Sequence, residues 1–145
     1  MVGAALGCLA ACAPGLPKGV SATLLDAAIE QRLGDPNTCV LIGPARSGAV
    51  TYRYGSHVVC AQAWPACVGV GPDITPKDTL KTAITSRRTA SCPSGADPSR
   101  SVGWAAGPVP GRAGLAYSAV MEGQSTPPGV VIAEKLEGAL KAAGL

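Results

Sequence analysis

The chain has 145 residues, of which 47% are hydrophobic, 14% charged and 3% aromatic, with no phenylalanine, and its formal net charge is +3. These values exclude a long disordered chain and point to one compact domain whose core is filled mainly by small side chains. They also set nucleic acid aside as a partner, because recognition of that kind draws on a concentrated basic stripe.

The first stretch, Val2 to Ala11, is apolar and about half the ~20 residues that a membrane-spanning helix requires, so it reads as the hydrophobic region of a signal peptide covering residues 1–11. No Lys or Arg precedes it. The residues Leu9-Ala10-Ala11-Cys12 resemble the lipobox of bacterial lipoproteins. That resemblance implies cleavage before Cys12, acylation of its thiol, and a membrane partner reached through the lipid anchor. Ala13 resembles the pattern that sorts such proteins to the outer membrane. Residues 12–20, rich in Pro and Gly, read as a tether, and residues 21–145 as the domain it carries.

If Cys8 leaves with the signal peptide and Cys12 carries lipid, Cys39, Cys60, Cys67 and Cys92 remain, an even set suited to two disulfides in an exported protein. Three connectivities are open. The short loop around Trp64 and Pro65 favours Cys60–Cys67, which leaves Cys39–Cys92. Zinc is disfavoured because the spacings contain no C-x-x-C pair and the one histidine, His57, lies near only one of the cysteines. No cofactor is expected.

Along the domain, Ser21 reads as an N-cap. Leu24, Leu25, Ala28, Ile29 and Leu33 recur at helical spacing over Ala22 to Leu33, with Gly34 as a stop. Three strands are expected at Thr38–Ile42, Ala49–Tyr54 and His57–Ala63, the last two joined by a Gly55-Ser56 turn. Thr75-Pro76 reads as N-cap and first position of a second helix ending near Arg87, with Leu80 and Ile84 one turn apart. Thr89 to Arg100 reads as a loop. Ser101–Ala106 and Leu115–Glu122 are β-compatible, and a final helix opens at Thr126-Pro127-Pro128 with Ile132, Leu136, Leu140 and Ala143 on one stripe. The expected fold is α+β, a five-stranded antiparallel sheet covered by N- and C-terminal helices, in the order α-β-β-β-α-β-β-α.

That order, with the runs Val50-Thr51-Tyr52-Arg53-Tyr54 and Val102-Gly103-Trp104-Ala105-Ala106-Gly107, resembles the sheet-and-helix half of serine β-lactamases and penicillin-binding proteins. The resemblance implies a helix and two strands at the start joined in one sheet by three strands and a helix at the end. It does not extend to catalysis: no serine has a lysine three residues later, and Lys81-Thr82-Ala83 carries Ala where the family has Gly. The order also resembles profilin-like ligand-binding modules.

No catalytic residue is assigned. Ser56 and His57 are adjacent and diverge, and Asp26, Glu30, Glu134 and Glu137 are expected on solvated helix faces. If a pocket exists, Tyr52, Arg53, Trp64 and Trp104 are the candidates for its wall. Arg46, Arg53, Arg87, Arg88, Arg100 and Arg112 give the middle of the chain a basic excess that could face anionic lipid headgroups or cell-wall polymer, and an envelope protein or cell-wall polymer is the expected partner beyond the membrane. The expected function is a non-catalytic binding or structural domain of a cell-envelope lipoprotein. The alternatives are a diverged hydrolase of β-lactamase-like fold, using His57 or a polar loop cluster, and a cytoplasmic profilin-like small-ligand sensor with reduced cysteines.

Overall fold

A computed structural model of the protein describes residues 15–83 and 85–145. Residues 1–14, which include the stretch expected as a signal peptide and the lipobox-like run with Cys12, and Ile84 lie outside the described residues. Among the described residues nine elements follow one another: α1 (Ala22–Leu33), β1 (Thr38–Pro44), β2 (Tyr52–Tyr54), α2 (His57–Ala61), α3 (Pro76–Thr82), β3 (Arg88–Pro93), β4 (Ser101–Pro108), β5 (Leu115–Gly123) and α4 (Gly129–Ala142). The fold is α+β, and the five strands form one antiparallel sheet in the order β2-β1-β5-β4-β3. The strand pair β1 and β5, in register from Thr38 opposite Met121 to Pro44 opposite Leu115, joins the two ends of the chain at the sheet centre. The helices α1 and α4 pack together on one face, and α2, α3 and the segment between them cover part of the other.

Because side chains alternate along a strand, the two faces have separate cores. Val40, Ile42, Tyr117, Ala119 and Met121 meet Leu25, Ile29 and Leu33 of α1 and Ile132, Leu136 and Leu140 of α4. Leu16 and Val20, ahead of α1, are partly buried against the same core. Cys39, Leu41, Val102, Trp104, Ala106, Ala116 and Val120 face the other way, toward Leu80 and Ala83. With both faces covered, β1, β4 and β5 lose the polar alternation of a half-exposed strand. In α1 the buried stripe is Leu25, Ile29 and Leu33, while Leu24, expected on it, is 59% exposed. Ser21 stands at the N-cap with extended backbone, but its side chain makes no capping bond.

Besides α3, which ends at Thr82 rather than near Arg87, three expectations need correction. The run from His57 is helical, not a third strand. The Ser56 hydroxyl accepts from the Val59 amide at 3.1 Å, so a cap overrides the β preference of Val58 and Val59. Second, the start of the loop expected over Thr89 to Arg100 is instead part of an edge strand, Arg88–Pro93. Its polar character and terminal proline are what an unpaired edge calls for, and they hid it from a search for apolar alternation. The five-strand count therefore holds with a different membership. Third, the disulfides are Cys39–Cys60 and Cys67–Cys92 rather than Cys60–Cys67 and Cys39–Cys92. With α2 helical, Cys60 turns back onto β1, where Gly55 at φ 102° lets the chain pass close to Thr38. Two disulfides mark a protein of an oxidising, extracytoplasmic compartment. Among the described residues no helix is long and apolar enough to cross a membrane.

Candidate functional site

The α3 helix starts with a reciprocal capping box. The Thr75 hydroxyl accepts from the Asp78 amide at 3.2 Å, and Asp78 Oδ2 accepts from the Thr75 amide at 3.1 Å and from its hydroxyl at 2.8 Å. Those bonds hold the Asp78 carboxyl below the ordinary carboxylate range. Its other oxygen lies 3.8 Å from Lys81 Nζ. Pro76 at the first position is preorganised for the helix, which then presents Asp78, Thr79, Thr82 and Ala83 toward the edge strand β3.

Between α3 and β3 lies a groove of about 290 Å³. Trp104 and Ala106 of β4 line it below, Arg88, Thr89 and Ala90 of β3 on one side, and Ala66, Val68 and Ile74 of the preceding loop at one end. The register explains its composition: Arg88 is opposite Ala106 and Ala90 opposite Trp104, and cross-strand partners share a face. Most of the lining is apolar, as ligand clefts generally are.

The loop 62–75 is fastened at three points. Trp64 and Ile74 exchange backbone bonds of 2.9 and 2.8 Å, the Trp104 indole N–H donates to the Pro65 carbonyl at 2.8 Å, and Cys67 is bonded to Cys92 of β3. Cys67 at φ 62° and Gly69 at φ 66° make the reversal that brings the loop back. Val68 and Val70 remain 77% and 108% exposed on it, an apolar lip beside an apolar groove.

The four residues expected at a pocket wall separate. Trp104 forms the groove floor, 3% exposed, and Trp64 packs half-buried in the same cluster. Arg53 is on the same side of the sheet but over β2, in a shallower depression of about 380 Å³ with Leu41, Val50, His57 and Cys60. Its guanidinium lies 2.8 Å from His57 Nδ1 and also bonds the Gly55 carbonyl at 3.2 Å. Tyr52 points through the opposite face, buried against α1, where its hydroxyl donates to Asp26 at 2.7 Å.

The Tyr52–Asp26 bond belongs to a set. The Tyr54 hydroxyl donates to Glu30, and Tyr117 donates to Glu137 at 2.7 Å, with Arg87 on the same carboxylate at 3.3 Å. Asp26, Glu30 and Glu137, expected as merely solvated, thus anchor α1 and α4 to the sheet. Burial, reinforced by these carboxylates, raises the phenol pKa values of Tyr52 and Tyr117 and pushes that of Tyr54 up to about 12.

Electrostatics also divides the molecule. Residues 36–93 hold Arg46, Arg53, Lys77, Lys81, Arg87 and Arg88 against only Asp73 and Asp78, whereas α1 carries Asp26 and Glu30 against Arg32. Arg88 is the one cation lining the groove and has no acidic partner among the described residues. The sequence alone singles out neither Ile74 nor Ala90, and it marks Arg88 only as part of the basic excess in the middle of the chain. With Thr89 to Arg100 expected as a loop, nothing in the sequence places Arg88 beside Trp104. No protein-family model, curated protein or solved structure matches this chain.

Proposed function

We propose that this protein is an exported binding domain of the bacterial cell envelope, held at the membrane through acylated Cys12, and that the groove between α3 and β3 is its ligand site. One observation carries the reading: an apolar groove floored by Trp104 is built on elements held by disulfide, indole and backbone bonds, with an uncommitted arginine at its side. The two disulfides support export, and the resemblance of Leu9-Ala10-Ala11-Cys12 to a lipobox supports the anchor. The sheet takes β1 and β2 from the first part of the chain and β3 to β5 from the last, with α1 against α4. That division supports a fold-level likeness to the sheet half of serine β-lactamases, without bringing their activity with it.

Location and ligand site are tested separately. Intact mass of the protein from a bacterial membrane fraction should begin at Cys12 with acyl chains attached, and the four remaining thiols should alkylate only after reduction. A full-length, unacylated chain with free thiols overturns export and the anchor together.

A further inference from the structure

We infer that the groove takes a small amphipathic acid, an apolar chain ending in a carboxylate, with the chain over Trp104 and the carboxylate on Arg88. This rests on the reading of the groove as the ligand site and adds the chemistry of the ligand. The volume, about 290 Å³, lies at the small end of the roughly 300–1,000 Å³ spanned by ligand clefts, which suits one short chain rather than a whole lipid. Ala83, Ala90 and Ala106 keep the walls low, and the indole of Trp104 is held in place by its bond to Pro65, so the floor is formed before a ligand arrives.

The choice of an anion follows from how the two charged residues of the lining are occupied. Asp78 is spent: one oxygen accepts both Thr75 bonds and the other faces Lys81, which leaves little to attract a cation. Arg88 is unspent, and its planar fork of N–H donors matches a carboxylate in two parallel bonds. Lys81 beside Asp78, and Arg53 and Lys77 in the neighbouring depression, add positive charge on the same side of the sheet.

The test uses the oxidised protein and three probes of equal chain length, octanoate, octanol and octylammonium, followed by ¹⁵N–¹H spectra. Octanoate is expected to shift the Trp104 indole N–H and the amides of Ala83, Ala90 and Ala106. Its affinity should exceed that of octanol by about three- to tenfold at low salt, a modest ratio because Arg88 is exposed and screened. Octylammonium should bind more weakly than octanol. Arg88→Gln should bring octanoate and octanol to equal affinity, and Ala90→Leu, which fills the groove from the edge strand, should weaken both alike. Equal affinities in the wild type, an unchanged ratio in Arg88→Gln, or tightest binding by octylammonium overturns the acid while leaving the groove as a site. If none of the probes shifts these residues, the groove itself is not the ligand site and the reading above falls too.

Discussion

On one face of the sheet α1 and α4 bury Leu25, Ile29, Ile132, Leu136 and Leu140 to 1% exposure or less, while on the other Trp64, Ile74 and Ala90 are left half-buried around an open groove. The helical face is closed by long apolar side chains and fastened at its margin by tyrosine–carboxylate bonds. The groove face relies on short helices, small residues and covalent links. The difference shows where this chain gains stability through apolar burial and where it leaves accessible surface that a ligand could cover.

The sharpest test of that division compares truncations. Leu136→Ala, in the helical core, is expected to cost about 2–5 kcal/mol, whereas Ile74→Ala beside the groove should cost about 1–2 kcal/mol because it is already partly hydrated. Denaturant unfolding measures both, and equal losses would mean that the two faces are equally consolidated.

The disulfides come next. They close sequence separations of 21 and 25 residues, so chain entropy assigns each about 3–4 kcal/mol, and span alone does not distinguish them. Burial does: Cys39 and Cys60 are 0% and 9% exposed, while Cys67 and Cys92 are only half-buried. Under limiting reductant, Cys67 and Cys92 should be alkylated first, as read by peptide mass spectrometry. Simultaneous alkylation of all four would contradict the contrast in access.

A smaller effect is expected at Glu122, buried at the end of β5. It accepts from Arg100 at 2.8 and 2.7 Å, from Ser94 at 2.8 Å and from Asn37 at 3.4 Å, joining the loop after β3 to the turn before β1. The Arg100 bonds foremost hold its carboxyl below the ordinary range. Its stabilisation is therefore present above the unfolded-state pKa and is lost as pH falls through the lower folded value. Glu122→Gln should lower Tm by about 3–6 °C at pH 7, and the gap to the wild type should narrow toward pH 3. A constant gap would show that the charge contributes nothing.

The smallest change is Tyr52→Phe, which removes one bond to Asp26 and should cost about 1 kcal/mol. The raised phenol pKa values of Tyr52 and Tyr117 give the opposite pH sense: their stabilisation is complete below the unfolded-state value and disappears as pH rises through the folded one. Absorbance titration of the native protein should show tyrosinate forming above the range of free tyrosine.

Local chemistry made several features legible. The α1 range followed from helical spacing and Gly34, the start of α3 from Thr75-Pro76, and the shared face of Val102, Trp104 and Ala106 from strand alternation. The edge strand was not legible because Arg88-Thr89-Ala90-Ser91-Cys92-Pro93 carries no apolar stripe. Its strand geometry is supplied by pairing with β4, and its Ser91 hydroxyl is explained by the bond it accepts from the Gly129 amide at the start of α4, at 2.8 Å. The roles of Asp26, Glu30 and Glu137 were hidden in the same way, since a carboxylate on a helix looks solvated until a tyrosine from another element reaches it.

By itself the sequence determined the helices with periodic stripes, the central strands, the α+β class and the even set of cysteines, because each depends on residues close along the chain or on composition. Only the tertiary structure decided which cysteines join, that His57 opens a helical turn, and that Arg88 stands beside Trp104. Those outcomes depend on the approach of segments distant in sequence, and strand pairing and core packing fix that approach.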